Sequence, residues 1–148
     1  MKKLFIYYSY TGNGEIVGEY FKNNEYDVYK VKAKKRVVPK SFFFGMLVGG
    51  FKATVGSKPE IEEINIDLAS YDKIVIGSPI WNARLAPVTN SLLEKLDLKD
   101  KDVSFVLYSG SGAGKKALKK INEKFPGASV TFLKEPKKYN EELNKIVL

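Results

Sequence analysis

Short apolar runs rich in β-branched and aromatic residues recur along this chain, separated by segments with helical spacing. Lys2–Tyr8, Lys73–Ser78 and Asp102–Ser109 read as strands buried on both faces, because their apolar runs hardly alternate. Tyr26–Lys32 alternates apolar with polar and reads as a half-exposed edge strand, and Ser129–Leu133 is a fifth strand. Asn13–Asn23 reads as a helix, with Ile16, Val17, Tyr20 and Phe21 in helical register. Pro87–Leu96 carries Val88, Leu92, Leu93 and Leu96 on one face. Ala113–Phe125 turns Ala117, Leu118 and Ile121 inward and four lysines outward, and Tyr139–Leu148 closes the chain as a helix. Strands alternating with helices imply right-handed βαβ crossovers and a parallel sheet covered on both faces. The expectation is an α/β three-layer sandwich, one domain over residues 1–148, with five parallel strands in the order 2-1-3-4-5. A ligand belongs at the carboxyl ends of strands 1, 3 and 4.

The first of those ends is Ser9-Tyr10-Thr11-Gly12-Asn13-Gly14, a cluster of hydroxyls and glycines between the first strand and the first helix. Helix N-termini leave four N–H groups without partners and carry the positive end of the macrodipole, so a phosphate suits this loop. The motif is neither a Walker A loop nor G-x-G-x-x-G. A plain helix cap by Thr11 or Asn13 is the other reading.

Composition removes whole classes of chemistry. Cysteine and histidine are both absent, which excludes disulfides, thiol nucleophiles, zinc sites built on those residues and histidine-based triads. The Met-Lys-Lys-Leu-Phe start has too short an apolar run for a signal peptide, and no stretch reaches membrane-spanning length, so a soluble cytoplasmic protein is expected. The net charge of +8 is localised. Val28–Pro59 holds Lys30, Lys32, Lys34, Lys35, Arg36, Lys40, Lys52 and Lys58 and no acid, which leaves the remainder neutral. An acidic stretch with Glu60, Glu62, Glu63, Asp67 and Asp72 follows.

The second strand end runs Gly77-Ser78-Pro79-Ile80-Trp81-Asn82-Ala83-Arg84-Leu85-Ala86-Pro87. Trp81, the only tryptophan, reads either as a stacking partner for a flat ligand or as a side chain folded back on the sheet. The third is Ser109-Gly110-Ser111-Gly112, small enough for close backbone approach, or an ordinary turn into a helix.

These three loops, in order, resemble those of the flavodoxin family. Ser9-Tyr10-Thr11-Gly12-Asn13 resembles its phosphate loop, which holds the phosphate of flavin mononucleotide (FMN) through hydroxyls and backbone N–H groups without a basic residue. Gly14 departs from it, standing where the family usually has Thr or Ser. Pro79, Ile80, Trp81, Asn82, Ala83 and Arg84 resemble the first flavin-ring loop, and Ser109, Gly110, Ser111 and Gly112 resemble the second. The resemblance implies a flavodoxin-like fold, FMN as cofactor and Trp81 stacked on the ring. Arg84 either faces the pyrimidine edge of the ring or is a solvated surface charge. The second ring loop lacks a covering aromatic residue, which implies an open flavin face. The family's backbone flip on reduction usually uses Gly. Here the matching pair is Asn82-Ala83, and Ala adopts positive φ at a cost of about 1–2 kcal/mol, which implies weaker stabilisation of the half-reduced flavin.

Ser41–Phe51 (SFFFGMLVGGF) lies within an irregular stretch, Ala33–Ile61. It reads as an irregular helix packed on the sheet, as aromatic residues rimming the flavin or docking a partner, or as peripheral attachment to an anionic membrane. The functional expectation is an FMN electron carrier working with a redox partner that presents an acidic docking surface. The alternative is an NAD(P)H-dependent FMN oxidoreductase of the quinone reductase type, with a small acceptor. A nucleic-acid binder on the same fold is a third class, but no nucleic-acid motif is present and a lysine-rich surface is ordinarily just solvated.

Overall fold

The computed structural model describes the backbone of residues 1–148 and the side chains of all of them except Phe42. The elements run β1 (Lys3–Tyr7), α1 (Asn13–Asn23), β2 (Asp27–Lys30), α2 (Phe42–Thr54), β3 (Lys73–Trp81), β4 (Arg84–Leu85), α3 (Pro87–Lys95), β5 (Asp102–Ser109), α4 (Lys115–Lys124) and β6 (Ser129–Lys134). The sheet order is β2-β1-β3-β5-β6, all parallel, with the two-residue β4 antiparallel on the end of β3. Setting β4 aside, this is the expected 2-1-3-4-5 order.

The strand period of two sorts the core into two layers. Leu4, Ile6, Ile74, Ile76, Phe105 and Leu107 face the layer that takes Val88 and Leu92 of α3 and Ala117 and Ile121 of α4. Phe5, Tyr7, Val75, Val106 and Tyr108 face the other, which takes Val17 and Phe21 of α1. Phe5 stacks on Phe21 at 4.4 Å between ring centroids.

Three boundaries differ from the sequence reading, each for a physical reason. Residues 140–145 form a 3-10 turn, not an α-helix. The turn buries Leu143, and Ile146 just past its end is buried too, three residues on, which is the period of a 3-10 helix. The irregular middle holds a regular helix, α2, on which Phe43, Phe44, Met46, Leu47 and Phe51 are exposed. Among its described side chains the buried positions are small: Gly45, Gly49 and Ala53 recur every fourth residue, so the apolar period gave no sign of which face turns inward. Finally, β3 does not stop at Ser78. It continues through Pro79 and Ile80 to Trp81 and turns back as a hairpin, pairing Ile80 with Leu85 and Trp81 with Arg84.

The hairpin turn is Asn82-Ala83, and both residues have positive φ, 49° and 62°. Two-residue hairpin loops favour this geometry because its twist matches that of the strands. Asn tolerates it, whereas Ala pays for its Cβ. Ala83→Gly is therefore expected to raise stability by about 1 kcal/mol, read as a higher urea midpoint at unchanged slope.

Candidate functional site

The carboxyl ends of β1 and β3 lie side by side, where the chain leaves the sheet toward opposite layers. Crevices of open α/β sheets form at this switch point. Here it opens into a cavity of about 570 Å³, within the range of small-ligand sites. Its walls come from three places: Tyr10 and Thr11 of the first loop, Ile80, Trp81 and Asn82 of the hairpin, and α2 from Gly45 to Thr54.

Trp81 is half-buried between these walls. Its ring meets Tyr8 edge-on at 6.2 Å and Tyr10 edge-on at 5.8 Å. Behind it stands Gly49 of α2, where an added Cβ would lie 3.2 Å from the indole. The helix can approach the tryptophan this closely because it presents a bare backbone there. Asn82 reaches α2 as well, its side-chain amide donating to Thr54 Oγ1 at 2.6 Å.

The first loop is ordered from beneath. Ser9 is buried, and its hydroxyl accepts the Gly14 N–H at 3.1 Å. Gly12, at φ 99°, is the N-cap of α1 and makes no side-chain cap, so the side-chain acceptor at this helix end is Ser9. The cap reading of Thr11 and Asn13 thus gives way: Asn13 donates to Thr11 Oγ1 at 3.3 Å, and the two bind each other. Gly14 sits against Ser9, Tyr7 and Tyr108, where no Cβ fits. Its departure from the expected Thr or Ser is a packing requirement set by the neighbouring strands.

Tyr108 was read only as a strand residue, and it supports the loop from below. It is fully buried on β5, and its hydroxyl donates to the Tyr8 carbonyl at the end of β1. Burial pushes this hydroxyl well above its usual range, and burial likewise pushes those of Tyr7 and Tyr8 up to about 12. All three stay neutral at pH 7, and that of Tyr108 serves as a fixed donor. Tyr108→Phe strands a buried carbonyl and is expected to cost about 1–3 kcal/mol, measured by denaturant titration.

Lys137 is the residue that sequence reasoning missed. The turn after β6 brings its backbone N–H to Asn13 Oδ1 at 3.0 Å and its ammonium to the Thr11 carbonyl at 3.4 Å. The ammonium also lies 3.2 Å from where a Cβ on Gly12 would stand. One lysine among many, more than 120 positions from the loop, carried no local signal.

The remaining predicted residues divide. Pro79 is paired within β3, and its carbonyl accepts the Ala86 N–H. The Ala83 carbonyl accepts the Ala117 N–H of α4 at 2.8 Å. Arg84 donates to the Asn82 carbonyl at 3.2 Å and lines a separate cavity of about 240 Å³ with Asn90, Lys116 and Lys120. It is not in the wall of the larger cavity. Ser109, Gly110, Ser111 and Gly112 are also outside that wall. Ser109 Oγ accepts the Gly112 N–H at 3.0 Å and the Ala113 N–H at 3.3 Å, which makes this loop a self-contained turn at the neighbouring strand end. The structure therefore joins two of the three expected loops around one cavity and supplies α2 as the third wall.

Among protein families, the flavodoxin family model matches residues 52–148, well over half of the chain. The chain belongs to the flavodoxin family. The matched region includes the Trp81 hairpin and the Ser109–Gly112 loop, while the Ser9–Gly14 loop lies ahead of it. Among solved structures, this flavodoxin is similar to a flavoprotein from Lactobacillus acidophilus NCFM crystallised in complex with FMN. The two are 23% identical with a TM-score of 0.72, over 95% of this chain and 97% of that one. It is similar as well to a protein from Bacteroides eggerthii DSM 20697, 18% identical with a TM-score of 0.71, over 99% of each chain. These likenesses establish the flavodoxin-like fold along the whole chain. No curated protein sequence matches it.

Proposed function

We propose that this flavodoxin binds FMN in the 570 Å³ cavity and works as an electron-transfer protein. The observation that carries the reading is the junction of the loop leading into α1, through Tyr10 and Thr11, and the Trp81 hairpin around one cavity at the β1/β3 switch point. The residues fit the cofactor's two ends. The phosphate suits the backbone N–H groups of Thr11, Gly12 and Asn13, with the Lys137 ammonium beside them. The ring suits the apolar walls around Trp81. FMN, when bound, supplies the redox chemistry, and the chain binds it, orients it and limits its contact with water.

The deciding experiment is the visible absorbance spectrum of purified protein before and after adding FMN and removing the excess. Flavin bands that persist at one FMN per chain support the reading. Protein that takes up no FMN under any condition overturns it.

Lys137 gives a finer check. Lys137→Gln is expected to weaken FMN binding up to about fivefold, the value of one exposed ion pair, and to leave riboflavin binding unchanged. Equal losses for both ligands would place Lys137 in a purely structural role.

One observation favours a second reading, an NAD(P)H-dependent FMN oxidoreductase. The Ser109–Gly112 loop does not wall the cavity, so a bound ring keeps an approachable side for a hydride donor. Steady oxidation of NADH or NADPH by FMN-loaded protein with an added quinone selects this reading, and its absence selects the carrier.

A further inference from the structure

Helix α2 is folded the opposite way round from a helix that faces water. Surface helices turn large apolar residues inward and polar ones outward. Here Gly45, Gly49 and Ala53 turn inward, while Phe43, Phe44, Met46, Leu47 and Phe51 are 56–67% exposed. Met46, Leu47 and Phe51 also line the mouth of the large cavity, whereas Phe43 and Phe44 lie outside it. A contiguous apolar surface of this kind marks an interaction site.

Charge decides among the occupants. The helix lies within Val28–Pro59, which carries eight basic residues and no acid; Lys30, Lys34 and Lys58 pair with Glu15, Glu60 and Glu94 from outside it, and the other five form no ion pair among the described residues. Ala53, on its inner side, and Gly56, just past its end, border the smaller cavity, whose lining includes Arg84, Lys116 and Lys120 and no carboxylate. A second copy would bring two such basic regions face to face. An acidic protein matches the charge but must also supply a groove for a projecting row of phenylalanines. An anionic bilayer accommodates both features without a preformed groove, because apolar side chains enter the boundary between headgroups and acyl chains while lysines meet lipid phosphates. Among the described residues no helix is long and apolar enough to cross a membrane, and the proposed contact is with the bilayer surface.

We infer that the outer face of α2 docks on an anionic lipid bilayer, with Phe43 and Phe44 inserted at the interface. The Met46–Phe51 mouth of the cavity then faces the same bilayer. The inference does not depend on FMN, since neither inserted residue lines the cavity.

The test is flotation of the full chain with vesicles of phosphatidylcholine containing phosphatidylglycerol, and with vesicles of phosphatidylcholine alone. Flotation with the anionic vesicles and little with the neutral ones is expected. The double variant Phe43→Ser, Phe44→Ser is expected to lower partitioning by about tenfold or more, given the loss of the two aromatic side chains that would enter the bilayer. Lys35 and Lys40 form no ion pair among the described residues. The double variant Lys35→Gln, Lys40→Gln is expected to lower partitioning about tenfold as well. It leaves the helix untouched, so it decides the matter should the phenylalanine variant misfold by circular dichroism. FMN uptake by both variants should match that of the parent. Three results would overturn the inference: no flotation with anionic vesicles at low salt, flotation indifferent to the phenylalanine pair, or a lipid-free dimer that this pair abolishes.

Discussion

Gly14→Thr, which restores the residue expected at that position of a flavodoxin phosphate loop, is expected to destabilise this protein by about 3 kcal/mol, the upper range for forced overpacking. A Cβ at Gly14 would lie 2.6 Å from Ser9 Cβ, 2.6 Å from the Tyr108 hydroxyl and 2.7 Å from the Tyr7 ring. All three neighbours are buried, and two are rings held in the sheet core. None is the free end of a flexible side chain, so relief requires moving β1, β5 or the start of α1. Moving α1 shifts the loop's N–H groups, so FMN affinity falls together with stability. Gly14→Ala carries the same Cβ without the hydroxyl and separates the two contributions. The measurements are a urea midpoint for each variant and an FMN titration where both remain folded. A Gly14→Thr protein with an unchanged midpoint and tighter FMN binding would show that the loop has room for the missing hydroxyl.

Trp81→Ala is expected to weaken FMN binding by one to two orders of magnitude, since ring stacking on an aromatic side chain is worth about 1–3 kcal/mol. Riboflavin should lose the same factor, because the contact is to the ring and not to the phosphate. That pattern is the opposite of the one expected for Lys137→Gln, and together the variants divide the cavity into a ring end and a phosphate end. The competing role for Trp81 is support of α2, whose backbone at Gly49 rests against the indole. If support were all, the variant would lose stability and keep its flavin affinity. Fluorescence titration of FMN and of riboflavin, beside a urea midpoint, distinguishes the two.

The expected site and the walls of the cavity differ most where distant parts of the chain meet. Ser9 through Gly14 was legible because a strand, a hydroxyl-rich turn and a helix follow one another directly. Trp81 was legible as an isolated large ring at a strand end. Arg84 and the Ser109–Gly112 loop were placed near the flavin by resemblance, yet the extension of β3 to Trp81 turns Arg84 into a hairpin strand beside a different cavity. Ser109 spends its hydroxyl on the turn's own N–H groups. The wall supplied by α2 was hidden because its inward residues are glycines and alanine, which carry no hydrophobic period.

The sequence by itself determined the alternation of strands and helices that implies a parallel sheet, and the position of the first loop, because each depends on residues a few positions apart and on the fixed periods of strand and helix. Only the tertiary structure decided that Gly14 has no room for a side chain, that Tyr108 holds up the end of β1 and that Lys137 lies on the Thr11 carbonyl. The last two depend on contacts across 100 and 126 positions of chain, and the first on Tyr108 as well as on nearby Tyr7 and Ser9; a side chain's spacing along the sequence does not tell which distant group it will meet.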